Sequence, residues 1–69
     1  MDSKRIGRRI KAFRKLKGYT QVNFAKELDI SLSYLGAIER GTRETSDETL
    51  EHIAGILQIN KDEITLEDE

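Results

Sequence analysis

The chain has 69 residues, 36% of them hydrophobic and 36% charged, with no Cys, Pro or Trp and a single His at position 52. So short a chain holds one domain and buries only about 60% of the surface its unfolded form exposes; it has neither the thiols for a disulfide framework nor enough His for a tetrahedral zinc site. The net charge of −1 conceals an uneven split: residues 1–43 hold eleven of the twelve Lys and Arg against four acids, a net +7, whereas residues 44–69 hold one Lys against nine acids, a net −8.

Taken in chain order, the sequence predicts five helices and no strand. Ile6, Ile10 and Phe13 recur at spacings of four and three, the mark of one helical face. Ser3 is placed to cap that helix, and Gly18 suits the left-handed residue that closes it. Thr20 caps a second helix with Phe24, Ala25 and Leu28 inward. After the short break Asp29-Ile30-Ser31, Ser31 caps a third helix that buries Leu35 and Ile38 and stops at Gly41. In the break, Asp29 is among the residues that tolerate the left-handed region. Ser46 caps a fourth helix with Leu50, Ile53, Ala54 and Leu57 at i, i+3, i+4 and i+7, and Asn60 caps a short fifth that ends near Leu66, before the acidic stretch 67–69. With no repeat, linker or internal boundary, residues 1–69 read as a single all-α domain.

Several function classes are disfavoured by the same residues. No apolar run approaches the roughly 18 residues of a membrane span, and the basic N-terminus lacks the apolar stretch of a secretory signal, so a soluble cytoplasmic protein is expected. The first helix, with Arg5, Arg8, Arg9, Lys11, Lys15 and Lys17 around its apolar stripe, could lie on a membrane surface, but so small a domain needs that stripe for its core. His52 flanks the apolar stripe of the fourth helix with no nucleophile beside it, Glu48 and Glu51 read as acids favoured near a helix N-terminus, and no Gly-rich phosphate loop is present. No enzyme, cofactor or metal is expected. The basic first part is the surface a polyanion would feel, although two oppositely charged solvated faces would have the same composition.

The stronger constellation runs from residue 20 to residue 41. Two helices joined by a turn of about four residues form a helix-turn-helix, whose second helix can enter a DNA major groove. Around it stand Ile6-Gly7-x-x-Ile10, Phe13-Arg14, Lys17-Gly18-Tyr19-Thr20-Gln21, Phe24-Ala25, Leu28, Ile30-Ser31 and Ser33-Tyr34-Leu35. Ile38-Glu39-Arg40-Gly41, Thr49-Leu50, Ile53-Ala54 and Leu57 continue the series. In this order and spacing they resemble the Xre family of transcriptional regulators, which includes the phage Cro and lambda-type repressors, over about residues 5–66.

The resemblance implies a compact five-helix, lambda-repressor-like domain with helix-turn-helix 20–40, binding double-stranded operator DNA as a homodimer on a two-fold site. Arg14 and Glu39 match a structural ion pair between the first and third helices. Thr20 and Gln21 fall where family members meet a phosphate or brace the recognition helix. On recognition helix 32–40, the residues Ser31, Leu32, Ser33, Gly36 and Ala37 are expected to face the groove, with Tyr34 reaching a phosphate or packing inward. Thr42 and Arg43 follow in a loop that approaches the sugar–phosphate backbone. None of the expected groove-facing residues is Arg, Lys, Asn or Gln, so direct readout of guanine or adenine is weak there, and phosphate contacts and DNA shape carry a larger share. Ile56, Ile59, Ile64 and Leu66 exceed what one stripe needs and are expected at a dimer interface. Two rivals stand beside this reading: a protein-interaction module on the same fold, using the acidic half or the apolar third-helix face, and the N-terminal DNA-binding domain of a longer regulator.

Overall fold

The computed structural model describes residues 2–66, in which five α-helices follow one another: α1 (Ser3–Leu16), α2 (Gln21–Leu28), α3 (Leu32–Arg40), α4 (Asp47–Leu57) and α5 (Lys61–Thr65). The acidic stretch 67–69 lies outside the described residues. Helix starts follow the polar residues that can take up the N–H groups a first turn leaves unpaired. Thr20 Oγ1, Ser31 Oγ and Ser46 Oγ accept from the backbone N–H of Asn23, Tyr34 and Thr49 at 3.0, 3.0 and 3.1 Å. Asn60 stands extended before α5, its own N–H donating to the Glu63 carboxylate at 3.1 Å. The start of α1 corrects the sequence expectation: the cap is Asp2, whose carboxylate accepts from the Arg5 N–H at 3.2 Å, and Ser3 is the first helical residue. A carboxylate is the stronger acceptor, and its charge is favoured at a helix N-terminus.

Helices α1 to α4 end alike. The N–H of Tyr19, Ile30, Thr42 and Ile59 reaches back to the carbonyl of Arg14, Ala25, Ala37 and Ala54 at 3.0 Å in each case, the six-to-one bond of a Schellman end. The left-handed residue that allows it is Gly18, Asp29, Gly41 or Gln58. Gly and Asp were legible as such; Gln58 at φ 59° was not, because nothing local marks it.

The core is one cluster of Ile6, Ile10, Phe24, Ala25, Leu28, Leu35, Ile38, Leu50, Ile53, Ala54, Leu57 and Ile64. Every helix contributes, as it must when no single face of so small a domain can bury itself. Ile64 has no exposed surface, which removes it from the expected dimer interface: the short α5 needs that side chain to dock on its own chain. Ile56 and Ile59 are half-buried against the core, and Leu66 is 63% exposed.

Helix α1 crosses the C-terminal end of α3 at backbone distance. A Cβ on Gly7 would lie 2.3 Å from the Ile38 carbonyl oxygen and 2.7 Å from that of Glu39, and one on Gly41 would lie 2.5 Å from Lys4 Cα. Two glycines thus let α1 rest directly on the last turn of α3, which fixes the height at which α3 stands out from the domain.

Candidate nucleic-acid interface

The break 29–31 turns the chain from α2 into α3, so these two helices form the helix-turn-helix. Leu35 and Ile38 of α3 are buried at 0% and 1% exposure. The opposite side carries Ser33, Ala37 and Arg40 at spacings of four and three, which align on one helical face. Leu32 is 47% exposed and Ser33 is exposed, so these two side chains at the start of α3 face away from the core.

The last turn of α3 is held by a polar clamp. Arg14 Nε donates to Glu39 Oε2 at 2.6 Å and Nη2 to Oε1 at 3.1 Å, while Nη1 reaches the Tyr19 carbonyl at 2.8 Å. Gln21 Nε2 donates to Glu39 Oε1 at 3.0 Å. One carboxylate on α3 therefore collects donors from α1 and from the start of α2. Of the two roles open to Gln21, bracing α3 is the one its side chain performs here; a second amide hydrogen stays available to another acceptor.

The other expected residues divide. Thr20 and Ser31 are exposed but engaged as caps. Tyr34 is half-buried against the core, and the Arg43 guanidinium lies 4.9 Å from its ring centroid, a cation–π distance. Arg43 is exposed, and Thr42 Oγ1 donates to the Ala37 carbonyl at 3.2 Å, so the loop after α3 is fastened to the helix it follows. Ala37 is half-buried. Gly36 corrects its expectation: it is buried, because the Arg40 side chain folds back over it. The sequence placed Arg40 only within Ile38-Glu39-Arg40-Gly41 and assigned it no role at the groove; an Arg four residues after a Gly was the available signal.

Away from α3, Arg5 and Arg9 donate to the Leu66 carbonyl and tie α1 to the end of α5. Beside them a groove of about 330 Å³ is lined by Arg9, Ala12, Phe13, Leu16, Glu63 and Leu66. The acids of α4 that flank the loop after α3 are partly neutralised within the chain, since Lys61 Nζ lies 2.8 Å from Asp47 and 3.6 Å from Glu51. No helix of the described residues is long and apolar enough to cross a membrane.

Comparison with known proteins places this arrangement. A family model described as Helix-turn-helix matches residues 10–64. The chain is similar to YazB of Bacillus subtilis, an uncharacterized HTH-type transcriptional regulator, at 55% identity over 64 residues and 93% of both chains. It is 48% identical over 54 residues to the immunity repressor protein of Bacillus phage phi105, covering 78% of this chain and 38% of that one. It is 38% identical over 56 residues to SinR of Bacillus subtilis, covering 80% of this chain and half of SinR. A crystal structure of SinR in complex with DNA superposes with a TM-score of 0.81 at 34% identity, over 87% of this chain and 97% of that one.

Proposed function

Because the chain belongs to the Xre-type helix-turn-helix family of transcriptional regulators, we propose that it binds operator DNA sequence-specifically and acts as a repressor-like regulator in the cytoplasm. The observation that carries this reading is the exposed start of α3, Leu32 and Ser33, on a helix whose last turn is anchored by the Arg14–Glu39–Gln21 clamp. A recognition helix has to keep its position against the duplex while phosphate contacts set its register, and a clamp reaching three helices supplies that rigidity.

In this reading Ser31, Leu32, Ser33 and Ala37 meet base edges, the two hydroxyls by hydrogen bonds and the two apolar side chains by touching thymine methyls. The first N–H groups of α2, beside Thr20 and Gln21, take one phosphate. Thr42, Arg43 and the Tyr34 hydroxyl take the backbone on the other side of α3. A homodimer forms through Ile56, Ile59 and Leu66, which places two recognition helices on a two-fold site. The repressor of phage phi105 supports the repressor-like reading. The chain spans only 38% of that relative and half of SinR.

The test is selection from random duplex DNA with sequencing, repeated at two salt concentrations. A selected two-fold site with half-sites about one helical turn apart is expected. Weak, unselective, salt-sensitive binding would overturn sequence-specific regulation and turn the search toward a protein partner.

A further inference from the structure

We propose that Arg40 is a base-reading residue of α3, seated by Gly36, and that its target is guanine; the assignment rests on the DNA-binding reading above. The residues expected at the groove leave that role vacant, for Ser31, Leu32, Ser33 and Ala37 include no bidentate donor. Arg40 stands on the same outward face, seven residues after Ser33 and three after Ala37. Helical side chains lean toward the N-terminus, and Arg40 does so fully. Its Nη1, Cζ and Nη2 lie 2.9, 3.7 and 3.9 Å from the point a Cβ on residue 36 would occupy. The guanidinium is thereby carried back one turn, from the far end of α3 to the level of Gly36, nearer the end that enters the groove.

Gly36 is the reason this conformation is open. A helix interior disfavours Gly relative to Ala, yet any side chain here would fall within 3 Å of Nη1 and push the head away. The pair therefore exchanges helix propensity for the placement of a cation. Arg40 takes no part in the hydrogen bonds or ion pairs of the described residues, unlike Arg14, so its planar fork of donors is unspent. Such a fork at the centre of a recognition face matches guanine O6 and N7, whereas Arg43, in the flanking loop, suits a phosphate.

The selection is run on the wild-type chain and on Arg40→Ala, Arg40→Lys and Gly36→Ala, each followed by affinity measurements on the selected site and on its single-base variants. The wild type is expected to require a G·C pair at one position of each half-site. Arg40→Ala is expected to lose about 5- to 150-fold of discrimination at that position while preferences elsewhere persist. Arg40→Lys keeps the charge but loses the fork, so its discrimination falls too, and Gly36→Ala, which folds but displaces the head, weakens the same position. If Arg40→Ala weakens all sequences alike and Arg40→Lys restores the loss, Arg40 is a phosphate contact and the assignment falls alone. Failure of the wild type to select any site overturns the DNA-binding reading itself, and is seen before any variant is compared.

Discussion

Arg14 and Glu39 meet with their side chains only 6% and 3% exposed, whereas the Lys61–Asp47 pair on the surface is 30% and 70% exposed. Exposed pairs contribute little because water screens them. Removing one partner of a dry pair is costly because the other charge is stranded, at about 3–5 kcal/mol. A domain of this length has total stability on the order of 3–10 kcal/mol. Glu39→Ala or Arg14→Ala is thus expected to remove a large share of the fold's stability, and Lys61→Ala almost none. Urea unfolding followed by circular dichroism measures both; similar midpoints for Glu39→Ala and Lys61→Ala would refute the clamp.

Two glycines should respond to the same substitution with opposite sign. Gly7→Ala puts a methyl 2.3 Å from the Ile38 carbonyl oxygen, backbone against backbone, so α1 must lift from α3. A loss of at least about 2 kcal/mol is expected, in the range of overpacked cores. Gly55 in α4 is exposed with nothing within 4 Å of an added Cβ, and Gly55→Ala is expected to gain about 0.5–1 kcal/mol through helix propensity. Thermal melting of both variants decides the matter, and a neutral Gly7→Ala would mean that α1 and α3 do not approach so closely.

Phosphate and base contacts separate by their dependence on salt and sequence. Arg43→Ala is expected to weaken binding to all duplexes alike and to reduce the slope of log affinity against log salt by about one. Leu32→Ala and Ser33→Ala are expected to leave that slope intact and to alter base preference. Titrations at several salt concentrations on the selected site and on unrelated DNA distinguish them. An Arg43→Ala chain with unchanged affinity at low salt would remove Arg43 from the backbone contacts.

The cap of α1 introduces a pH dependence. The Asp2 carboxyl is held below its ordinary value of 3.8, first of all by the hydrogen bond from the Arg5 N–H; desolvation opposes this as the next largest effect, and the Arg5 charge lowers the value further. A carboxyl whose folded pKa is depressed stabilises the fold fully above its unfolded pKa, and loses that contribution as pH falls through the folded value. Asp2→Asn keeps an acceptor but cannot titrate. The melting advantage of the wild type over Asp2→Asn is expected to be present at about pH 5 and to vanish toward about pH 2. A difference that stays constant over this range would show that the cap does not act through its charge.

Much of this architecture was legible in the residues because its determinants are local. Thr20, Ser31 and Ser46 cap where their neighbours begin an apolar period, and Gly18, Asp29 and Gly41 are residue types that accept a left-handed backbone. Asp2 was overlooked for Ser3, one position away, because two adjacent capping residues compete and spacing alone does not rank them. Gln58 shows the opposite limit: a residue with no left-handed preference takes that conformation because α5 must return to the core.

By itself the sequence determined the number and order of helices, the faces they bury and the helix-turn-helix between residues 20 and 40, since periodicity, caps and breaks act within a few residues of one another. Tertiary structure decided what each exposed-looking residue does. Ile64 went to the core and not to an interface, Gln21 turned to Glu39, Tyr34 went under Arg43, and Gly36 became the seat of Arg40. The physical reason is common to all four. Whether a side chain faces water, a partner or a neighbouring turn depends on which other helix packs beside it, and on how far a long side chain reaches along its own.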